Sequence, residues 1–368
     1  MLAAASGRLA TIRAARALLV CLPIACSDGC KRNPTPEPPR DASPPREHAS
    51  AASASASPVV APETSVLPSA SGQPHGGLDV AFLVAADTHF GYGRPIDDDA
   101  PIDRSQAMGI EVVHDAMVQQ MRALPMRTWP GRKGGKVGRL RGLIVAGDLT
   151  DDGSLDQWNR FLAWYGHRND AWNLGIPLFE TVGNHDRIRG EQIVAEVTRR
   201  HGGEYYALDW GDLHVSVLGE APHERSLAWL QGDLARVGAR RPVVVVLHYA
   251  LDGPYSVDAW RGAGGPYDQL RQSLQGYRVL GIFHGHYHVA GSYRWNGLDV
   301  YRVGSAKYSH HAFAAIHVTD DTMMVALWNT DTRSWWWWHQ KRIDVPGDRG
   351  TRHIVPLARV PPPEMSGQ

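Results

Sequence analysis

Five short apolar runs set the rhythm of this chain: Val80–Ala86, Leu143–Ala146, Ile176–Val182, Val243–Leu247 and Val279–Phe283. Rich in Val, Ile and Leu and stopped abruptly by polar residues, they read as buried strands. Between them the period lengthens to that of a helix. Ile110, Val113, Met117, Met121 and Leu124 recur along Arg104–Leu124, and Pro125 ends that helix. Leu155–His167, Gly190–His201, Glu224–Val237 and Asp268–Gly276 are further helices. Tyr205–Leu208 and Leu213–Gly219 predict a hairpin, and Leu298–Val303, Phe313–Val318 and Met323–Trp328 predict three antiparallel strands. The run Trp335–Trp338, if extended, carries two indoles on each face. One pair belongs to the core; the other packs at an edge or meets a membrane interface or a sugar. Strands alternating with helices define an α/β chain.

The polar residues that end the five runs form one chemical set. Asp87 and His89 follow the first run, Gly147-Asp148 the second and Gly183-Asn184-His185-Asp186 the third. His248 ends the fourth and Gly285-His286-Tyr287-His288 the fifth. In an open α/β sheet, residues beyond the carboxyl ends of strands line a common crevice. Asp87, His89, Asp148, Asn184, His248, His286 and His288 are thus potential metal ligands converging from five strand ends. Carboxylate oxygen and neutral imidazole suit hard-to-borderline divalent cations, whereas soft sites need thiolate. Cys21, Cys26 and Cys30 are the only cysteines, so the folded part has neither thiolate ligands nor disulfides. An aspartate can serve two cations through its two oxygens, and an asparagine offers a carbonyl oxygen without charge.

The ordered series Asp-x-His, Gly-Asp, Gly-Asn-His-Asp, His, Gly-His-x-His resembles that of the calcineurin-like metallophosphoesterase superfamily, over roughly Leu78 to Asp320. The resemblance implies a four-layer αββα sandwich with two mixed β-sheets. It implies a first metal on Asp87, His89, Asp148 and His288 and a second on Asp148, Asn184, His248 and His286. The two divalent ions (Mn, Fe, Zn, Co or Ni) would share a hydroxide that attacks a phosphomonoester or phosphodiester in line. His185 is the implied non-ligand that donates a proton to the leaving oxygen or steadies the transition state, with Asp186 orienting it. Arg187 faces either substrate phosphate or a surface ion pair, and Tyr249 either shapes substrate or packs. Asp151 either braces a metal ligand or caps the Leu155–His167 helix. Ser305, Lys307, Tyr308, His310 and His311 should reach the rim beneath His288, and Leu251–Tyr267, with Tyr255 and Trp260, should overhang the site. The competing reading is a non-catalytic cell-envelope module that binds metal or another ligand on the same fold.

Charge narrows the partners. Lys+Arg and Asp+Glu are equal at 38 each, so no global field favours a nucleic-acid scaffold. The basic run Met126–Gly142 precedes a strand, which puts it at the end of the sheet away from the ligands. At the N-terminus, Arg8, Arg13 and Arg16 precede the apolar Ala17–Ala25, the form of an export signal over residues 1–25. It resembles a bacterial lipoprotein signal, with Pro23 in place of the usual Leu, and makes Cys26 the expected lipidated membrane tether. An ordinary cleaved signal or an uncleaved anchor are the alternatives. Residues 26–77 are rich in Pro, Ala and Ser and predict a disordered linker reaching roughly 40 Å. The expected organisation is completed by a catalytic domain over 78–355 and a flexible tail over 356–368, in an exported protein of the cell envelope.

Overall fold

A computed structural model describes residues 77–93, 104–131, 134–166, 173–253, 256–257, 261–308 and 311–354. The expected signal with Cys26, the linker but for Gly77, Tyr255, Trp260, His310 and the tail lie outside those residues. Among the described residues no helix is long and apolar enough to cross a membrane.

The strands in chain order are β1 (Asp79–Ala85), β2 (Leu140–Ala146), β3 (Leu178–Thr181), β4 (Tyr206–Trp210), β5 (Leu213–Val217) and β6 (Val243–Val246). There follow β7 (Val279–His284), β8 (Gly291–Trp295), β9 (Leu298–Arg302), β10 (Ala312–Thr319), β11 (Thr322–Asn329), β12 (Ser334–Arg342) and β13 (Thr351–Ile354). The helices are α1 (Arg104–Ala123), α2 (Leu155–Tyr165), α3 (Gln192–His201), α4 (Glu224–Val237) and α5 (Pro266–Leu274). A seven-stranded sheet runs β13-β12-β11-β10-β1-β2-β3 and a six-stranded one β4-β5-β6-β7-β9-β8. Each is mixed: β1, β2 and β3 are parallel, as are β5, β6, β7 and β9, with antiparallel strands outside them.

Strand alternation builds the layers. From β1, Leu83 and Ala85 join Met117, Met121, Phe161 and Ile193 of α1–α3, while Phe82 and Val84 face Val215, Val244 and Val246 of the other sheet. From β6, Val243 and Val245 turn instead to Leu227, Leu230 and Leu270 of α4 and α5. Both central strands are therefore buried on both faces, and the order is helices, sheet, sheet, helices. This is the αββα sandwich.

One expectation needs correction, and two further features were not foreseen. Leu298–Val303 does not join Phe313–Val318 and Met323–Trp328 in one antiparallel unit, because β9 pairs in parallel with β7 in the smaller sheet. The strands β8 and β13 were not foreseen, since their residues are half-buried or exposed and carry little apolar pattern. The tryptophan run contains a bulge: Leu327 pairs with Trp337 but Trp328 with Trp335. The extra residue puts Trp335 and Trp338 on the α-helical side and Trp336 and Trp337 between the sheets, so both pairs pack on the protein's own core.

Candidate metal centre

The parallel ladder between β1 and β2 continues past both strands, through Asp87 N to Gly147 O and His89 N to Asp148 O at 2.9 Å each. Five of the seven predicted ligands, Asp87, His89, Asp148, His286 and His288, then adopt left-handed backbone with φ between 42° and 65°. Such conformations are unfavourable for residues with a Cβ and persist only where the surroundings impose them. Here they turn the side chains inward over the ends of both sheets. The preceding glycines make room: a Cβ on Gly147 would lie 2.3 Å from His248 Nδ1, and one on Gly183 2.2 Å from Asp148 Oδ1.

Three groups have their ligand atoms within 4.8 Å: Asp87, His89, Asp148 and His288; Asp148, His248 and His286; and, at the rim, His89, Asp151 and His185. Asp148 belongs to the first two. Its Oδ2 lies 3.4 Å from His89 Nε2 and its Oδ1 3.3 Å from His248 Nε2. Asn184 joins the second group, with Oδ1 3.1 Å from His248 Nε2. Asp87 Oδ1 accepts His286 N at 2.8 Å, while its Oδ2 is buried with no partner.

Tautomers follow from the outer contacts. His248 Nδ1 lies 2.9 Å from the Ala146 carbonyl, which can only accept, so Nδ1 carries a proton and Nε2 faces the centre. His89 Nδ1 likewise donates to Asp151 Oδ1 at 3.1 Å, leaving Nε2 to face His288 Nε2 at 3.0 Å. The middle of the site thus gathers two carboxylates and four imidazoles, with His89 Nε2 and His288 Nε2 in hydrogen-bond contact. Burial disfavours an imidazolium at His248, yet the Asp148 carboxylate reverses this and lifts its pKa to about 10. Burial alone would raise the Asp148 carboxyl, but His248 and then His89 hold it well below the usual carboxylate range. His286 is pushed down to about 4 by burial and then by His248, and burial also lowers His89, so both stay neutral as ligands must. With the orphaned Asp87 oxygen, this all-O/N donor set fits divalent cations.

A family model for calcineurin-like phosphoesterases matches residues 80–290. The chain belongs to that family. None of the curated proteins compared matches the chain. Among solved structures, purple acid phosphatase PPD1 from yellow lupin (Lupinus luteus) seeds aligns at 12% identity and a TM-score of 0.50, over 72% of this chain and 54% of that one. GAP50, the anchor in the inner membrane complex of Plasmodium, aligns at 12% identity and a TM-score of 0.49, over 71% of this chain and 88% of its own. At 12% identity the likeness to the purple acid phosphatase speaks for the fold alone.

On this phosphoesterase frame, the residues after β3 divide sharply. His185 stands at the rim, its side chain 29% exposed, its ring edge-on to His89 at 4.5 Å and its Nδ1 2.7 Å from the Asp151 carbonyl. Asp186 does not orient it. That carboxylate is fully buried and accepts from Gly183 N, Leu149 N, Thr150 N and Thr150 Oγ1 at 2.8–3.2 Å, tying the β2 and β3 exits together. Burial and then Asp148 lift its pKa to about 6. Arg187 is not available to phosphate either: Glu191, Glu204 and Glu220 surround its guanidinium, the last at 2.8 Å. Tyr249 lies against His286 with ring centroids 4.1 Å apart, at the edge of the second group.

The alternatives for Asp151 and the neighbouring residues also resolve. Ser154, not Asp151, accepts from Gln157 N as the cap of α2. Asp151 instead bonds His89 and Lys307. His284 is buried against the Tyr293 hydroxyl at 2.9 Å, behind the ligands rather than among them. Ser305 donates to the Asp87 carbonyl and Thr150 Oγ1 to the Asp186 carboxylate, contacts that nothing local in the sequence announces because their partners are distant along the chain.

Proposed function

We propose that this chain hydrolyses phosphoric esters at a centre of two divalent cations that share Asp148. The observation that carries this reading is the split carboxylate, one oxygen turned to each histidine group. Asp87, His89, His288 and Asp148 Oδ2 would hold one ion; Asp148 Oδ1, Asn184, His248 and His286 the other. Bound cations supply Lewis acidity, drawing charge from the phosphoryl oxygens and lowering the pKa of an attacking water.

The chain's own groups do the rest. Asp87 and Asp148 bring negative charge that sets the affinity for divalent ions, and imidazoles, which must shed any proton from the ligating nitrogen, would add ligation without more charge. His185 is held through Nδ1–H by the Asp151 carbonyl, which leaves Nε2 to carry a proton to the leaving oxygen. Its partial exposure beside the first group supports a role in meeting an ester that arrives from solvent. Asp186 keeps the two loops in register without touching substrate.

The test is reconstitution of metal-free protein with Mn²⁺ and assay of p-nitrophenyl phosphate against its bis ester. Hydrolysis of either, abolished by Asp148→Asn, supports the reading, and the preferred ester fixes mono- or diesterase character. Protein that binds metal yet cleaves neither ester, nor a pyrophosphate, is a binding module.

A further inference from the structure

The segment after β9 lies beyond the residues matched by the family model, yet it is stitched to the centre. Ser305 Oγ donates to the Asp87 carbonyl at 3.0 Å, and Ala306 N reaches the same oxygen at 3.1 Å. Ser305 Oγ in turn accepts Lys307 N at 2.8 Å. The Lys307 side chain is 7% exposed. Its ammonium lies 4.3 Å from the Tyr92 ring centroid and 5.4 Å from that of Tyr308, and 3.0 Å from Asp151 Oδ1. That same oxygen accepts His89 Nδ1–H.

A lysine ammonium gives up much hydration when buried, and a lone buried cation is strongly unfavourable. The aromatic faces and the carboxylate compensate, and they also fix where the charge sits. Asp151 is 14% exposed, and His185 Nδ1, which donates to the Asp151 carbonyl, lies 3.9 Å from the same carboxylate oxygen. A carboxylate held only by His89 could swing toward solvent or His185. Bonded to the ammonium as well, the same oxygen is held where His89 meets it.

We propose, on the reading of the site given above, that Lys307 is a positioning residue. Acting through Asp151, it fixes the His89 imidazole with Nε2 aimed at the first metal. Groups that orient metal-bound histidines in this way typically change metal affinity 10–100-fold when removed. Lys307 therefore ties the strand-connecting segment after β9 to the β1 exit, and makes first-site affinity depend on a residue 218 positions away in the chain from His89.

The experiment is titration of metal-free full-length protein with Co²⁺, followed by the visible ligand-field absorption, for the unaltered protein, Lys307→Met, Asp151→Asn and the double variant. Lys307→Met should weaken the first-site Co²⁺ affinity by about 10–100-fold and alter the absorption bands. It should lower kcat with KM within about twofold. In the Asp151→Asn background it should add less than about twofold, since a residue acting through Asp151 has nothing left to act on. Far-UV circular dichroism of the metal-free variants checks the fold. If Lys307→Met does not fold, Lys307→Gln, which loses the charge but keeps a hydrogen-bonding group, carries the same comparison. Equal Co²⁺ affinity and spectrum in the Lys307 variant overturn this inference alone, as does a full additional loss in the double variant. An unaltered protein that takes up no Co²⁺ overturns both it and the phosphoesterase reading.

Discussion

His185, Asp186 and Arg187 are neighbours in sequence and share nothing in function. They form a single 3₁₀ turn, in which successive side chains point about 120° apart. One therefore reaches the rim, one the interior and one a cage of glutamates. Identity of the residues was legible in the sequence, but direction was not, because the turn type follows from how the β2 and β3 exits are bound together. His185→Ala should lower kcat by about 10²–10⁴-fold. Metal content by mass spectrometry should stay unchanged, because the ring belongs to neither of the two groups that share Asp148. Loss of metal in that variant would instead make His185 a ligand. His114 offers a second test, of stability rather than chemistry. Buried against Phe90 and bonded to the Tyr165 hydroxyl, it is held down to about 3 by burial first and then by His89. Its folded pKa lies below the unfolded value, so the proton prefers the unfolded chain. Stability attributable to His114 is complete above about pH 6.5 and falls as pH drops toward 3. Between pH 7.5 and 5.0 the loss is about 2 kcal/mol. Urea unfolding of His114→Leu should show a correspondingly smaller decline over that interval.

Among the elements, the strands that position the ligands were the easiest to read. β1 and β6 are buried on both faces, so nearly every residue is apolar and the polar stop is conspicuous. The membership of β9 was hidden for the opposite reason: its alternation fits an antiparallel partner as well as the parallel pairing with β7 that it makes. The bulge at Trp336 was hidden too, since an inserted residue leaves the composition of a strand unchanged. The loops beyond the strands carry the strain. A Cβ at residue 183 meets not only Asp148 Oδ1 but Asp148 N at 2.3 Å, a backbone atom that cannot step aside. Gly183→Ala should therefore displace the shared carboxylate and weaken metal binding at both sites, read by calorimetric titration with Mn²⁺. Unchanged affinity would show that the loop is looser than its contacts indicate.

Across the whole molecule, the two sheets exist to bring loops from distant stretches of chain to one place. The assembled site carries an unresolved conflict, since Asp87 and Asp148 are both buried there and one Asp87 oxygen has no partner. Cations relieve that conflict only in the folded state, so binding is linked to stability. Metal at 1,000 times its Kd should stabilise the fold by about 4 kcal/mol. Chelation should lower Tm accordingly, and an unchanged Tm would argue against occupancy. The most direct test is anomalous diffraction from crystals grown with Mn²⁺. Two peaks about 3.5–4 Å apart, with an oxygen of Asp148 toward each, are the predicted result. A single peak, or two that do not share Asp148, would contradict it.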